Sequence, residues 1–202
     1  MTGGFLSSAG AFCEPFFIAD GTSVALDPAV FGERLGQWRE LAGAPSTFDR
    51  STPKLIVSLG TASPLLYGNP MWKSYSTTDS SKAFVTSGVL DRIVEGLQAQ
   101  VLAFFRQVQH HGVLAAAVAA PAPQARHRAV DWLGTEGVLD LDQSFRDPVR
   151  ALLEDLGVPL LGVGVGTAPD GFLQESFWGP NWSHANASWG SAVLDEIAAL
   201  GY

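Results

Sequence analysis

Cysteine is almost absent from this 202-residue chain: Cys13 stands alone. A single thiol excludes an internal disulfide framework and a cysteine-built zinc site. The four histidines fall at spacings that form no metal-ligating pattern. The adjacent pair His110-His111, at the end of a helical stretch, reads as a C-terminal cap. Basic residues are also scarce, 12 Lys and Arg against 20 Asp and Glu, for a net charge of −8. With no Lys/Arg cluster, that balance argues against nucleic acid as a partner. No apolar run approaches a membrane span, and Met1-Thr-Gly-Gly-Phe-Leu-Ser-Ser lacks the basic start of a signal peptide. The expectation is a cytoplasmic chain with no membrane partner. Gly162, Gly164 and Gly166 do not form a dinucleotide fingerprint, because they sit inside and just after a strand and Ala168-Pro-Asp-Gly171 follows instead of a helix. No cofactor is expected.

What is present is apolar and turn-rich. Hydrophobic residues make up 47% of the chain and charged ones 16%, enough for a substantial core, and no linker divides residues 1–202 into separate domains. An apolar N-terminal strand is expected over 5–12. Asp20-Gly21 between Phe16-Phe17-Ile18 and Val24-Ala25-Leu26 predicts a hairpin. Asp27-Pro28 opens a helix with Phe31, Leu35, Trp38 and Leu41 inward. Short buried runs at 54–60, 112–120 and 158–165 read as parallel strands. Helical periods are expected over 89–110, 145–156 and a closing stretch carrying Val193, Leu194, Ile197 and Leu200. The polar and aromatic interval 61–81, with Tyr67, Trp72 and Tyr75, has the length of a lid or binding loop. This alternation predicts an α/β fold of three layers around a mostly parallel sheet.

Ligands of such sheets bind outside the carboxyl ends of the strands. Three segments converge there: Gly60-Thr61-Ala62-Ser63, Pro121-Ala122-Pro123-Gln124, and the loop ending at His184. His184 lies between the aromatic loop Trp178-Gly-Pro-Asn-Trp182 and the closing helix. From its residues alone that place suits a general base and an ordinary capping residue equally. Ser51-Thr-Pro-Lys54 has Ser-x-x-Lys spacing, but Pro53 and the following strand leave no helix to carry the pair.

The layout, with the segment from Asn181 to the end, resembles the SGNH/GDSL family of esterases and lipases. The resemblance implies a flavodoxin-like three-layer α/β/α fold and an ester hydrolase acting on a small acyl or acetyl ester. It assigns His184 as the general base of the family's Asp-x-x-His motif, with Asn181 at the aspartate position. It places Gly60 as the glycine of the Gly-x-Asn-Asp oxyanion segment, where Ala62 and Ser63 replace Asn and Asp. The family's Gly-Asp-Ser nucleophile segment has no counterpart, and Thr78-Asp79-Ser80-Ser81 lies in a polar loop with no strand before it. Ser7, Ser8, Ser58 and Ser63 lie near the expected edge, and none is assigned as nucleophile. The family's first strand and helix are therefore expected to be missing, leaving an apolar sheet edge open to self-association. A second reading is a non-catalytic binding or structural descendant, using an aromatic cleft of Tyr67, Trp72, Trp178 and Trp182.

Overall fold

The computed structural model describes residues 9–43, 45–162 and 166–201. The expected strand over 5–12 is not formed where it can be followed. Ala9–Phe12 is a single 3-10 turn, and residues 5–8 lie outside the described part. The run Ala9-Gly-Ala11 lacks the branched side chains that favour a strand. The turn instead delivers Phe12 onto Phe16, ring centroids 5.0 Å apart and edge-on.

β1 (Phe17–Ala19) and β2 (Val24–Leu26) form the expected hairpin. Asp20 Oδ1 accepts the backbone N–H groups of Thr22 and Ser23, each at 2.8 Å, and Gly21 supplies a φ of 84°. Asp27 caps α1 (Pro28–Phe31) by accepting the Ala29 N–H at 2.8 Å. The helix expected to continue from there breaks at Gly32, where φ is 51°, and resumes as α2 (Glu33–Ala42). Phe31 and Leu35 are buried, whereas the side chains of Trp38 and Leu41 lie outside the described part. β3 (Thr47–Phe48) completes an antiparallel sheet of order β1-β2-β3.

The parallel sheet opens with β4 (Leu55–Val57). The interval expected to be a lid is instead a second core. α3 (Pro64–Tyr67) and a 3-10 turn at Pro70–Lys73 fold inward, and Tyr67 and Trp72 are fully buried. Trp72 Nε1 donates to the Leu66 carbonyl at 2.9 Å, which removes the cost of burying an indole N–H. β5 (Tyr75–Ser76) pairs in parallel with β6 (Ala83–Phe84). α4 (Ser87–His110) follows, with His110 its last residue and His111 its C-cap.

β7 (Leu114–Val118) pairs with β4, and β8 (Leu160–Leu161) pairs with β7, both in parallel and in the order β4-β7-β8. Each strand is shorter than its apolar run. Gly60 at φ 81°, Pro121 and Gly162 at φ 82° turn the chain out of the sheet, and residues 163–165 of the expected last strand are outside the described part. α5 (Val130–Asp155) starts 15 residues before the expected 145–156, with a non-helical break at Gly134. α6 (Ala187–Ala199) closes the chain, capped by Asn186, which accepts the Ser188 and Trp189 N–H groups at 3.0 and 3.3 Å.

Alternation along the strands sorts the core, with one register shift in the β4–β7 pairing, where Leu55 faces Leu114 and Ile56 faces Ala116. Leu55, Val57, Leu114 and Ala117 pack with Val101, Phe105 and Val108 of α4 and with Val149 and Leu153 of α5. Ile56, Ala116, Val118 and Leu161 pack instead with Val193 and Ile197 of α6. Leu194 and Leu200, expected inside, are exposed. The architecture is thus a mixed α/β fold with a parallel sheet, and among the described residues β4 has no strand on its other side.

Candidate functional site

The carboxyl ends of β4 and β7 are tied by polar side chains. Thr61, fully buried, accepts the Ala120 N–H on its hydroxyl at 2.7 Å. Gly60 is held between the two long helices. A Cβ there would lie 2.7 Å from Val101 Cγ1 and 3.0 Å from Val149 Cγ2, so packing as well as its φ demands glycine. Its carbonyl accepts from Gln98 Nε2 at 3.0 Å.

Ser63 is fully buried, and its hydroxyl donates to Asp142 Oδ1. Asp142 also takes the Arg146 Nε–H at 2.8 Å. Arg146 donates further to the carbonyls of Ala120 and Pro121 at 2.7 and 2.8 Å. This buried chain ties α3, α5 and the end of β7 together, with each charge paired and hydrogen-bonded. Burial pushes the neighbouring Tyr67 phenol far up, and the Asp142 charge adds to that while Arg146 opposes it. Ser63 is therefore a strut, with its proton committed to a carboxylate. Ser58 is exposed just past β4, and Ser7 and Ser8 lie outside the described residues.

The loop carrying His184 is fixed from the segment after β7. Gln124, fully buried, donates to the backbone carbonyls of His184 at 2.7 Å and Asn181 at 3.1 Å. Gln124 Oε1 accepts from Arg126 Nε at 2.7 Å, and Arg126 Nη2 reaches the Gly179 carbonyl at 2.7 Å. Gly179 N–H donates to the His184 carbonyl at 2.9 Å, and a Cβ on Gly179 would sit 2.4 Å from that oxygen. Only glycine allows this closure.

His184 itself is exposed, with Nδ1 2.6 Å from Asn181 Oδ1. That oxygen also accepts the Ser183 N–H at 3.1 Å, which marks it as the acceptor end of the amide. Nδ1 thus carries the proton, and the lone pair of the neutral ring lies on Nε2. Among the described residues no serine side chain bonds to this ring. The structure brings His184 and Asn181 together, and leaves Ser63 on a separate network.

His127 escapes a sequence reading because nothing in its local spacing marks it. It is buried, meets Tyr67 edge-on at 4.9 Å, and accepts the Ala129 N–H on Nδ1 at 3.0 Å. That bond needs a lone pair, so the ring is neutral with its proton on Nε2. Burial holds its pKa below the ordinary value, and the Arg128 charge lowers it further. Around it, Arg126 lies 4.7 Å over Trp178, and Arg128 lies 5.9 Å from both Trp132 and Trp182. The expected aromatic cleft is corrected by these positions. Tyr67 and Trp72 are core residues, whereas Trp178 is half-buried and Trp182 is exposed.

Among the described residues no group of three or more His, Cys, Asp or Glu is placed to hold a metal. Two surface hollows, one of about 470 Å³ between α4 and α5 and one of about 430 Å³ between α5 and Gly171, are not lined by His184. The His184 site is an open rim. No helix among the described residues is long and apolar enough to cross a membrane. Comparison with known proteins finds no match to a family model, a curated protein or a solved structure.

Proposed function

We propose that this chain is an SGNH-type ester hydrolase domain with a flavodoxin-like three-layer core, and that His184 is the general base for cleavage of a small acyl or acetyl ester. One observation carries the reading. The bond from His184 Nδ1 to Asn181 Oδ1, 2.6 Å long, fixes the ring in the tautomer that turns a basic Nε2 outward. Gln124 and Arg126 support the assignment by holding the loop at the carboxyl end of β7, where such sheets bind ligands. Nε2 takes the proton of the attacking hydroxyl and returns it to the leaving alcohol. Asn181 orients the ring but brings no charge to stabilise the imidazolium, a change that costs about 10⁴ in turnover in a serine triad.

A non-catalytic descendant is the second reading, favoured by Ser63 being locked onto Asp142 and by the lack of any serine bonded to His184 among the described residues. Turnover of a short p-nitrophenyl ester, together with mass spectrometry after fluorophosphonate treatment, separates the two. The hydrolase reading predicts slow turnover, lost in His184→Ala, and a single adduct on a serine other than Ser63. No turnover and no adduct on folded protein selects the binding reading.

A further inference from the structure

We propose that the rim beside His184 is a subsite for an acidic sugar, a pyranose ring bearing a carboxylate, anchored by Arg128. The proposal rests on the ester-hydrolase reading only for where the scissile bond lies. Arg128 is exposed, and its guanidinium carbon lies 5.9 Å from the ring centroids of both Trp132 and Trp182. Its guanidinium has no hydrogen-bond partner among the described residues. Two indoles therefore flank a planar fork whose N–H donors are unengaged among the described residues and can donate to a carboxylate in two parallel bonds. Arg126 differs: Nε and Nη2 are engaged by Gln124 and by the Gly179 and Asn181 carbonyls, so it tethers the loop and adds charge. Lys73, 5.2 Å over Trp132, adds a third cation to the rim of a chain whose net charge is −8. Asp131, in the first turn of α5, is the nearest carboxylate in sequence. The three cations favour an anionic ligand on this rim.

The ring part of the ligand follows from which indole faces are open. Trp178 carries Arg126, and Trp132 carries both Lys73 and Arg128. Trp182 also meets Arg128 and, edge-on at 6.1 Å, His127, but at 47% it is the most exposed of the three indoles, with room for one ring and not for a run of stacked bases. The site is an open rim, where a hydrated polyol loses less than an apolar aromatic, which needs enclosure to bind.

Calorimetric titration of methyl glucuronoside, methyl glucoside and inorganic phosphate tests this, on the wild-type chain and on His184→Ala. The glucuronoside is expected to bind both proteins, at least about 10-fold more tightly than the neutral sugar. Arg128→Gln is expected to weaken glucuronoside binding by about 10-fold with an unchanged melting temperature, and Arg128→Lys to leave most of that loss, since an ammonium lacks the fork. Trp182→Ala is expected to weaken both sugars. Equal affinity for the two sugars, no glucuronoside binding to folded protein, or phosphate binding as tightly as the glucuronoside overturns the proposal. Glucuronoside binding by a chain that turns over no ester keeps the subsite and removes the hydrolase reading.

Discussion

Ser63 and His184 divide the two properties a serine hydrolase needs in one place. Ser63 has a committed proton and no exposure, and His184 has an outward lone pair and, among the described residues, no serine bonded to it. If Ser63 is a strut, Ser63→Ala leaves ester turnover unchanged and lowers stability by about 1–3 kcal/mol, the cost of stripping a partner from a buried charged group. Chemical denaturation with a parallel turnover assay reads both. His127 supplies a pH signature. Its folded-state pKa lies below the unfolded value of 6.5, so protons bind the unfolded chain more readily. Its contribution is whole above 6.5 and is lost as pH falls through the folded-state value. The melting temperature of the wild-type chain is expected to fall between pH 7 and 5 more steeply than that of His127→Gln, and parallel slopes would contradict the assignment. Of these residues, the i, i+3 relation of Asn181 and His184 was legible in the sequence. The Asp142–Arg146 pair was not, because the helix was expected to begin only at 145, and neither was its union with Ser63, which lies 79 positions from Asp142 and meets it only through the packing of α3 on α5.

Among the elements, α4, α6 and the three parallel strands could be read from periodicity because their apolar residues recur without interruption. The first half of α5 could not. Gly134 and Gly137 weaken its helical propensity, so only the later stretch rich in Leu and Val stood out, despite the Pro148 inside it. The interval 61–81 misled for a different reason. Its polar composition suggested solvent, whereas Leu66, Tyr67 and Trp72 are placed by packing against Val138, Leu141 and Phe145, contacts that no local pattern encodes. α6 bears on the site because its cap follows the His184 loop directly. Asn186 accepts the Ser188 and Trp189 N–H groups and donates to the Ser176 carbonyl at 2.7 Å. Asn186→Ala is expected to cost about 0.5–2 kcal/mol in the unfolding free energy. A loss of ester turnover larger than the loss of folded protein would show that this cap also positions His184.

At the scale of the whole molecule, one core joins the N-terminal antiparallel sheet to the parallel sheet. Phe104 of α4 meets Phe16 and Phe48 from the former, while its neighbours in the same cluster cover the latter. Both sheets thereby brace α4, which with α5 grips Gly60 at the sheet's carboxyl edge. On that braced edge the loop at 177–186 presents His184, and Asn181 sets its tautomer without supplying charge. The most direct measurement is therefore the rate of short-ester hydrolysis by Asn181→Asp beside the wild-type chain and His184→Ala, at matched melting temperatures. A rise of at least about 10-fold in Asn181→Asp, with loss in His184→Ala, is the predicted result, because the restored carboxylate stabilises the imidazolium. Equal rates in all three proteins would contradict the assignment of His184 as the base.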